Sequence, residues 1–169
     1  MDGFNALDLA RRLQTEINQL GLGCGVSNEV KPVHVLSYEF VSDETLRGKV
    51  EKLFLDGHYA RAVEEAYKYI DNLVKQRVGN TCKADSGTGL MQEAFSPKKP
   101  VLMLNGNATR TEQDEQLGYM QIFAGCMLGI RNPRAHDADA EDERESALKL
   151  LGMADHLVWR IKTAEIAQL

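Results

Sequence analysis

An all-α protein, an antiparallel bundle of four long helices with shorter ones between them, is what this sequence predicts. Three observations carry that reading. Apolar residues recur at three- and four-residue spacing in separate stretches along the chain. Glycines, prolines and N-cap residues punctuate those stretches into lengths of a few turns. β-prone character is confined to the short runs 33–38 and 101–104. Long amphipathic helices joined by short connections bury their apolar faces against one another as a bundle.

Each element has its own signal. Phe4, Leu7, Leu9, Leu13, Ile17 and Leu20 trace a first helix that Gly21, Gly23 and Gly25 close. Pro32 and the run 33–38 mark a linker, so residues 1–41 read as an N-terminal helix and linker and 42–169 as the bundle, one compact domain overall. Ser42 or Asp43 caps a second helix carrying Leu46, Val50, Leu53 and Phe54 up to Gly57. Tyr59, Val63, Ala66, Ile70, Leu73 and Val74 lie on one face of a third helix that Gly79 stops. Leu90, Met91, Ala94 and Phe95 give a short helix ended by Ser96-Pro97, and 101–104 is either a short strand or an apolar tether.

Thr111 with Asp114 resembles a capping box opening a helix that, from Leu117 to Ile130, is apolar on nearly all sides and is therefore expected at the centre of the bundle. Gly118, Gly125 and Gly129 within it each cost roughly 1 kcal/mol against Ala, which points to close packing, inside the chain or across a dimer. Pro133 is expected to break or kink this helix, with Asn132 as a new cap. A last helix places Ala147, Leu148, Leu151, Ala154, Val158 and Ile161 on one face.

Composition narrows the function. With 43% hydrophobic and 27% charged residues, a folded globular chain is expected and disordered or fibrous classes are excluded. Three cysteines, Cys24, Cys82 and Cys126, are an odd number, and Cys126 lies in an apolar run that favours a reduced, buried thiol. No export signal and no apolar run of membrane-spanning length occurs, so a cytoplasmic protein with no membrane partner is expected. A net charge of −5 opposes nucleic-acid binding by the molecule as a whole. Any such role needs a local patch, for which Lys98, Lys99, Arg110, Arg131 and Arg134 are the candidates.

The segment Arg131-Asn132-Pro133-Arg134-Ala135-His136 ends an otherwise apolar helix in two guanidiniums, an amide and an imidazole. Chemistry on a phosphodiester needs a proton-transfer group titrating near neutral pH and a cation for the charged pentavalent phosphorus. His136 and Arg131 are of those types. Five positions separate them, about 140° on an uninterrupted helix, so a break at Pro133 is needed to bring both to one mouth. The plainer reading is a helix terminus whose basic residues complement the dipole.

Other motifs fall away. His58 follows Gly57 at a helix start and reads first as a structural hydrogen-bond donor and second as a residue near the site, while His34 and His156 read as surface or packing residues without metal-ligand partners. The tract 137–142 lacks the glycine and terminal glutamate of a calcium loop and reads as acidic residues favouring the last helix's N-terminus. No Walker lysine, Gly-x-Ser-x-Gly elbow or Cys-x-x-Cys pair exists, and Gly21-Leu-Gly23-Cys-Gly25 is an incomplete dinucleotide fingerprint. No metal or cofactor is expected.

Several pieces in order resemble the HEPN superfamily and, within it, the Ymh-type proteins of bacteria and phages. They are Leu53-Phe54, then Gly57-His58-Tyr59-Ala60-Arg61-Ala62-Val63-Glu64-Glu65-Ala66, then Gly89-Leu90-Met91 with Ala94-Phe95-Ser96, then Gly125, and last Ile130 to His136. The resemblance covers about residues 46–160. It implies a homodimeric helical bundle and an R-x4-6-H motif, here Arg131 and His136, that in catalytic members is the site of a metal-independent ribonuclease. Asn132 fits the polar residue that often follows the arginine. Members paired with nucleotidyltransferase antitoxins often have a tyrosine two residues after the histidine, where this chain has Ala138.

The resulting expectation is an RNA-cleaving toxin or phage-defence factor with Arg131, His136 and Asn132 in catalysis and Arg134, Lys98, Lys99 and Arg110 on RNA. An antitoxin or another defence-system protein is a possible partner. The alternative is a non-catalytic HEPN module that binds RNA, a nucleotide or a partner protein.

Overall fold

The computed structural model describes residues 41–137 and 139–167, all within one compact unit. The expected helix over 4–20, the linker after it, Cys24 and His34 lie outside the described residues.

Helix α1 (Glu44–Leu55) starts where expected, because the Asp43 carboxylate accepts the Leu46 N–H at 2.9 Å and so satisfies one of the four unpaired donors of the first turn. Its Leu46, Val50 and Phe54 are buried. Gly57 reverses the chain at φ +85°, a conformation that favours glycine. Helix α2 (Tyr59–Val78) then buries Ala62, Val63, Ala66, Tyr67, Ile70 and Val74. Helix α3 (Gly87–Ala94) is pinned to it through the Gly87 N–H, which donates to the buried Asp71 carboxylate at 2.7 Å.

Strand β1 (Leu102–Met103) pairs antiparallel with β2 (Glu165–Ile166), Leu102 opposite Ile166, so the 101–104 run is a short strand. Gln116, fully buried, fixes it from the side: its amide donates to the Phe95 and Leu102 carbonyls and its oxygen accepts the Leu104 N–H at 3.0 Å. Helix α4 (Arg110–Cys126) runs into a π-helical turn (Met127–Arg131) and then α5 (Asn132–His136). Helix α6 (Arg144–Thr163) closes the bundle on the expected face, with Ala147, Leu148, Leu151, Ala154, Val158 and Ile161 buried. Arg77 of α2 caps its C-terminus by donating to the Ile161, Lys162 and Ala164 carbonyls. The described residues are thus mostly helical, an all-α bundle with one small sheet.

Three expectations need correction. The cap of α4 is Thr109, whose hydroxyl accepts the Glu112 N–H while Glu112 accepts the Thr109 N–H at 2.8 Å; Thr111 and Asp114 are not the box. These backbone bonds hold the Glu112 carboxyl below its usual value. The central helix is α2, which packs against α1, α3, the π turn, α5 and α6. Helix α4 instead buries only one side, through Gln116, Phe123, Ala124 and Cys126, with Phe123 stacked 4.3 Å from Phe95. Its apolar excess is exposed at Leu117 and Ile122, and Leu128 of the π turn that follows is 64% accessible. Finally, Gly118, Gly125 and Gly129 face open space, and a Cβ at any of them would meet nothing within 4 Å, so they serve no close packing inside the chain.

Candidate functional site

The site begins with a local conflict between proline and helix. Pro133 has no N–H to donate and its ring collides with the carbonyl four residues back in an α-helix, which ordinarily ends or bends the helix. Here the turn before it widens: the Asn132 N–H reaches back five residues to the Met127 carbonyl. Asn132 keeps helical angles (φ −61°, ψ −44°) and the chain stays helical to His136. The expected break with Asn132 as cap is therefore replaced by a π turn. With no break, Arg131 and His136 stay about 140° apart by helical geometry, and a single chain does not converge them by backbone direction.

The two arginines have different fates. Arg134 donates to both oxygens of Asp142 at 2.6 Å each and to the Ile130 carbonyl at 2.8 Å, with side chains only 15% and 12% exposed. It clamps the acidic loop after His136 onto the helix, so its charge is spent within the protein and not offered to RNA. Asp142 belongs to this pair and not to the N-terminus of α6, which Glu143 caps without a side-chain bond. Arg131 is half-buried and has no carboxylate partner among the described residues. Its Nη1 donates to the Asn132 side-chain oxygen at 3.3 Å, and its Nε is buried with no hydrogen-bond partner. A guanidinium in this state retains unused donors and charge for an anion. His136 is exposed at the end of α5.

Leu117, Gln121 and Gly125 follow one another at four-residue spacing on one exposed face of α4; beyond it Leu128 of the π turn and His136 of α5 are also exposed, and Asn132 is half-buried. Behind this face, burial raises the Cys126 thiol to about 11, as expected of an inert core cysteine, and pushes the Tyr67 hydroxyl up as well.

The remaining basic residues do not join this group. Arg110 begins α4, about 30 Å along the same helical run from Arg131. It pairs with Asp114 at 3.1 Å and lines a shallow cleft with Lys98, while Lys99 lines another with Cys82 and Glu93. One continuous basic patch is thus absent among the described residues. His58 makes no side-chain cap bond, contrary to the structural role expected of it. It is exposed and lines a cleft of about 580 Å³ with Arg61, Asp139, Glu141 and Asp142, so the Arg134 clamp shapes one wall of that cleft. Sequence reasoning passed over Asp142 as an individual, since nothing in an acidic tract marks which carboxylate has a partner.

Among the described residues, no three His, Cys, Asp or Glu side chains gather into a metal-binding group, and no helix is long and apolar enough to cross a membrane. No curated protein and no solved structure matches the chain. One family model, described as "Protein of unknown function (Hypoth_ymh)", matches residues 41–161, from the cap of α1 through the Arg131–His136 segment to the end of the α6 core. The chain belongs to the Hypoth_ymh family.

Proposed function

We propose that this protein is a metal-independent endoribonuclease of the HEPN type, acting in the cytoplasm as a homodimeric toxin or phage-defence factor. One observation carries the reading: a half-buried, carboxylate-free Arg131 guanidinium beside Asn132, with an exposed imidazole at the end of the same helix. Arg131 binds the scissile phosphate and stabilises the added negative charge as phosphorus becomes pentavalent, an effect strengthened by its partial burial. Asn132 holds the guanidinium in place. His136 takes the proton from the 2′-hydroxyl, whose oxygen attacks phosphorus; the bond to the 5′-oxygen breaks, and that oxygen takes a proton from water. The products carry a 2′,3′-cyclic phosphate and a 5′-hydroxyl.

We infer that the second half of the site comes from a second copy, because Arg131 and His136 diverge within one chain. The exposed stripe of α4 would meet its symmetry mate, bringing the 131–136 segments of both copies to the rim of the interface, where Arg131 of one copy would face His136 of the other. Purified protein incubated with end-labelled single-stranded RNA tests the proposal, with and without chelator. His136→Ala and Arg131→Ala should each lower cleavage on the order of 10²-fold or more, while the exposed control Lys75→Ala leaves it unchanged. Undiminished cleavage by pure His136→Ala protein overturns the assignment. The same divergence favours a second reading, a non-catalytic module binding RNA, a nucleotide or a partner such as an antitoxin; RNA bound but uncleaved by the wild type supports that one.

A further inference from the structure

The chain has a single tryptophan, Trp159, and α6 leaves it 54% exposed. Its neighbours are aromatic and cationic. His156, one turn earlier and exposed, lies 5.8 Å away between ring centroids at a 32° tilt, and Tyr119 of α4 lies 5.9 Å beyond it at 36°. The Tyr119 hydroxyl and His156 Nε2 are hydrogen-bonded at 2.8 Å, which fixes the row. The Arg160 guanidinium sits 4.4 Å from the Tyr119 ring centre and 5.8 Å from that of Trp159, held by Glu115 at 2.8 Å. Its Nε is buried without a hydrogen-bond acceptor, so the neighbouring π faces are its environment.

Leaving a tryptophan half in water forfeits burial of a large apolar surface. Trp159 and His156 offer exposed π faces, held in place by Tyr119 and by an Arg160 whose charge is paired with Glu115, and such faces are the chemistry that receives an unpaired base. The broad aliphatic surface that a partner helix would cover lies elsewhere. That surface is the α4 stripe, and Tyr119 is two residues from both Leu117 and Gln121, about 160–200° around the helix from them.

We propose that Trp159, with His156, Arg160 and Tyr119, is a seat on which an unpaired nucleobase stacks. The seat rests on the reading of the protein as one that engages RNA, and it adds a sequence-tolerant hold on single strands that a chain of net charge −5 cannot obtain by bulk electrostatics. The probe is a ten-nucleotide deoxyadenylate strand, which lacks the 2′-hydroxyl and so cannot undergo the proposed cleavage. Added to the full chain at low salt, it should quench the emission of the lone tryptophan, and its duplex with deoxythymidylate should not. By anisotropy of the labelled strand, Trp159→Ala should bind at least about tenfold more weakly and Trp159→Phe, which keeps a ring, less so. Both variants should melt and sediment as the wild type does.

A strand that fails to bind overturns the seat, as does one that binds with emission unchanged and with wild-type affinity for Trp159→Ala. Trp159→Ala protein of lower mass but unchanged strand affinity also overturns it, by making the surface a contact between copies. Cleavage of RNA is scored separately. Quenching without cleavage leaves the seat standing and removes the nuclease, while cleavage without quenching removes the seat alone.

Discussion

Removing the Arg134 clamp should unfasten the loop after His136. Arg134→Ala deletes two charge-assisted bonds of 2.6 Å to Asp142 and one of 2.8 Å to the Ile130 carbonyl. Each such bond contributes about 1.5–3 kcal/mol when its partner stays buried. Asp142 lies in a loop and can return to water once released, so the full sum is not expected. Exposed pairs are worth about 0–1 kcal/mol and breaking buried ones costs about 3–5. At 15% and 12% exposure the pair belongs between these limits, at about 2–3 kcal/mol. For a chain of this size that lowers Tm by roughly 5–10 °C. Melting of Arg134→Ala, Asp142→Ala and the double variant gives the coupling energy, expected near 2 kcal/mol. Hydrogen exchange at residues 139–143 should speed up in both single variants. A coupling below about 0.5 kcal/mol would mean that solvent screens the pair and refute the clamp.

Gly125→Ala and Gly129→Ala meet nothing within 4 Å, so each should stabilise the isolated chain by up to about 1 kcal/mol. If a second copy packs there, the same substitutions and Leu128→Asp should shift light-scattering mass toward the monomer; a mass unchanged in all three variants removes the stripe as the interface. In Cys24→Ser protein, Cys82 should react with a thiol reagent in the native state and Cys126 only on unfolding, because Cys126 is buried and its thiol raised to about 11. For Asp43, burial pulls the carboxyl up, but the hydrogen bond from Lys162 and those from the Leu46 and Thr45 N–H groups outweigh it and leave it below its usual 3.8. Its stabilising contribution is therefore present above pH 3.8 and lost as pH falls through the lower folded value. Asp43→Asn, which still caps α1, should flatten that acid-side loss in urea melts, and an unaltered pH profile would contradict it.

Periodicity alone determined the second, third and last helices, and the reason is local: an apolar residue every three or four positions has one geometry that buries them together. The sequence likewise marked Arg131, Asn132 and His136 as unusual, since polar groups at the end of an apolar helix need an explanation whatever the fold. It misplaced the centre of the bundle. An apolar helix reads the same whether its sides meet the chain's own core or a face left open, and only the packing of α2 against five other elements decided which helix is surrounded. At Pro133 the sequence left a break or a kink open, and the π turn closed by the Asn132 to Met127 bond is a property of the folded helix. Which charges are free was also decided in three dimensions. Arg131 and Arg134 look alike in sequence, yet one faces no carboxylate among the described residues and the other is held by Asp142, eight residues on, because the acidic loop folds back over the helix.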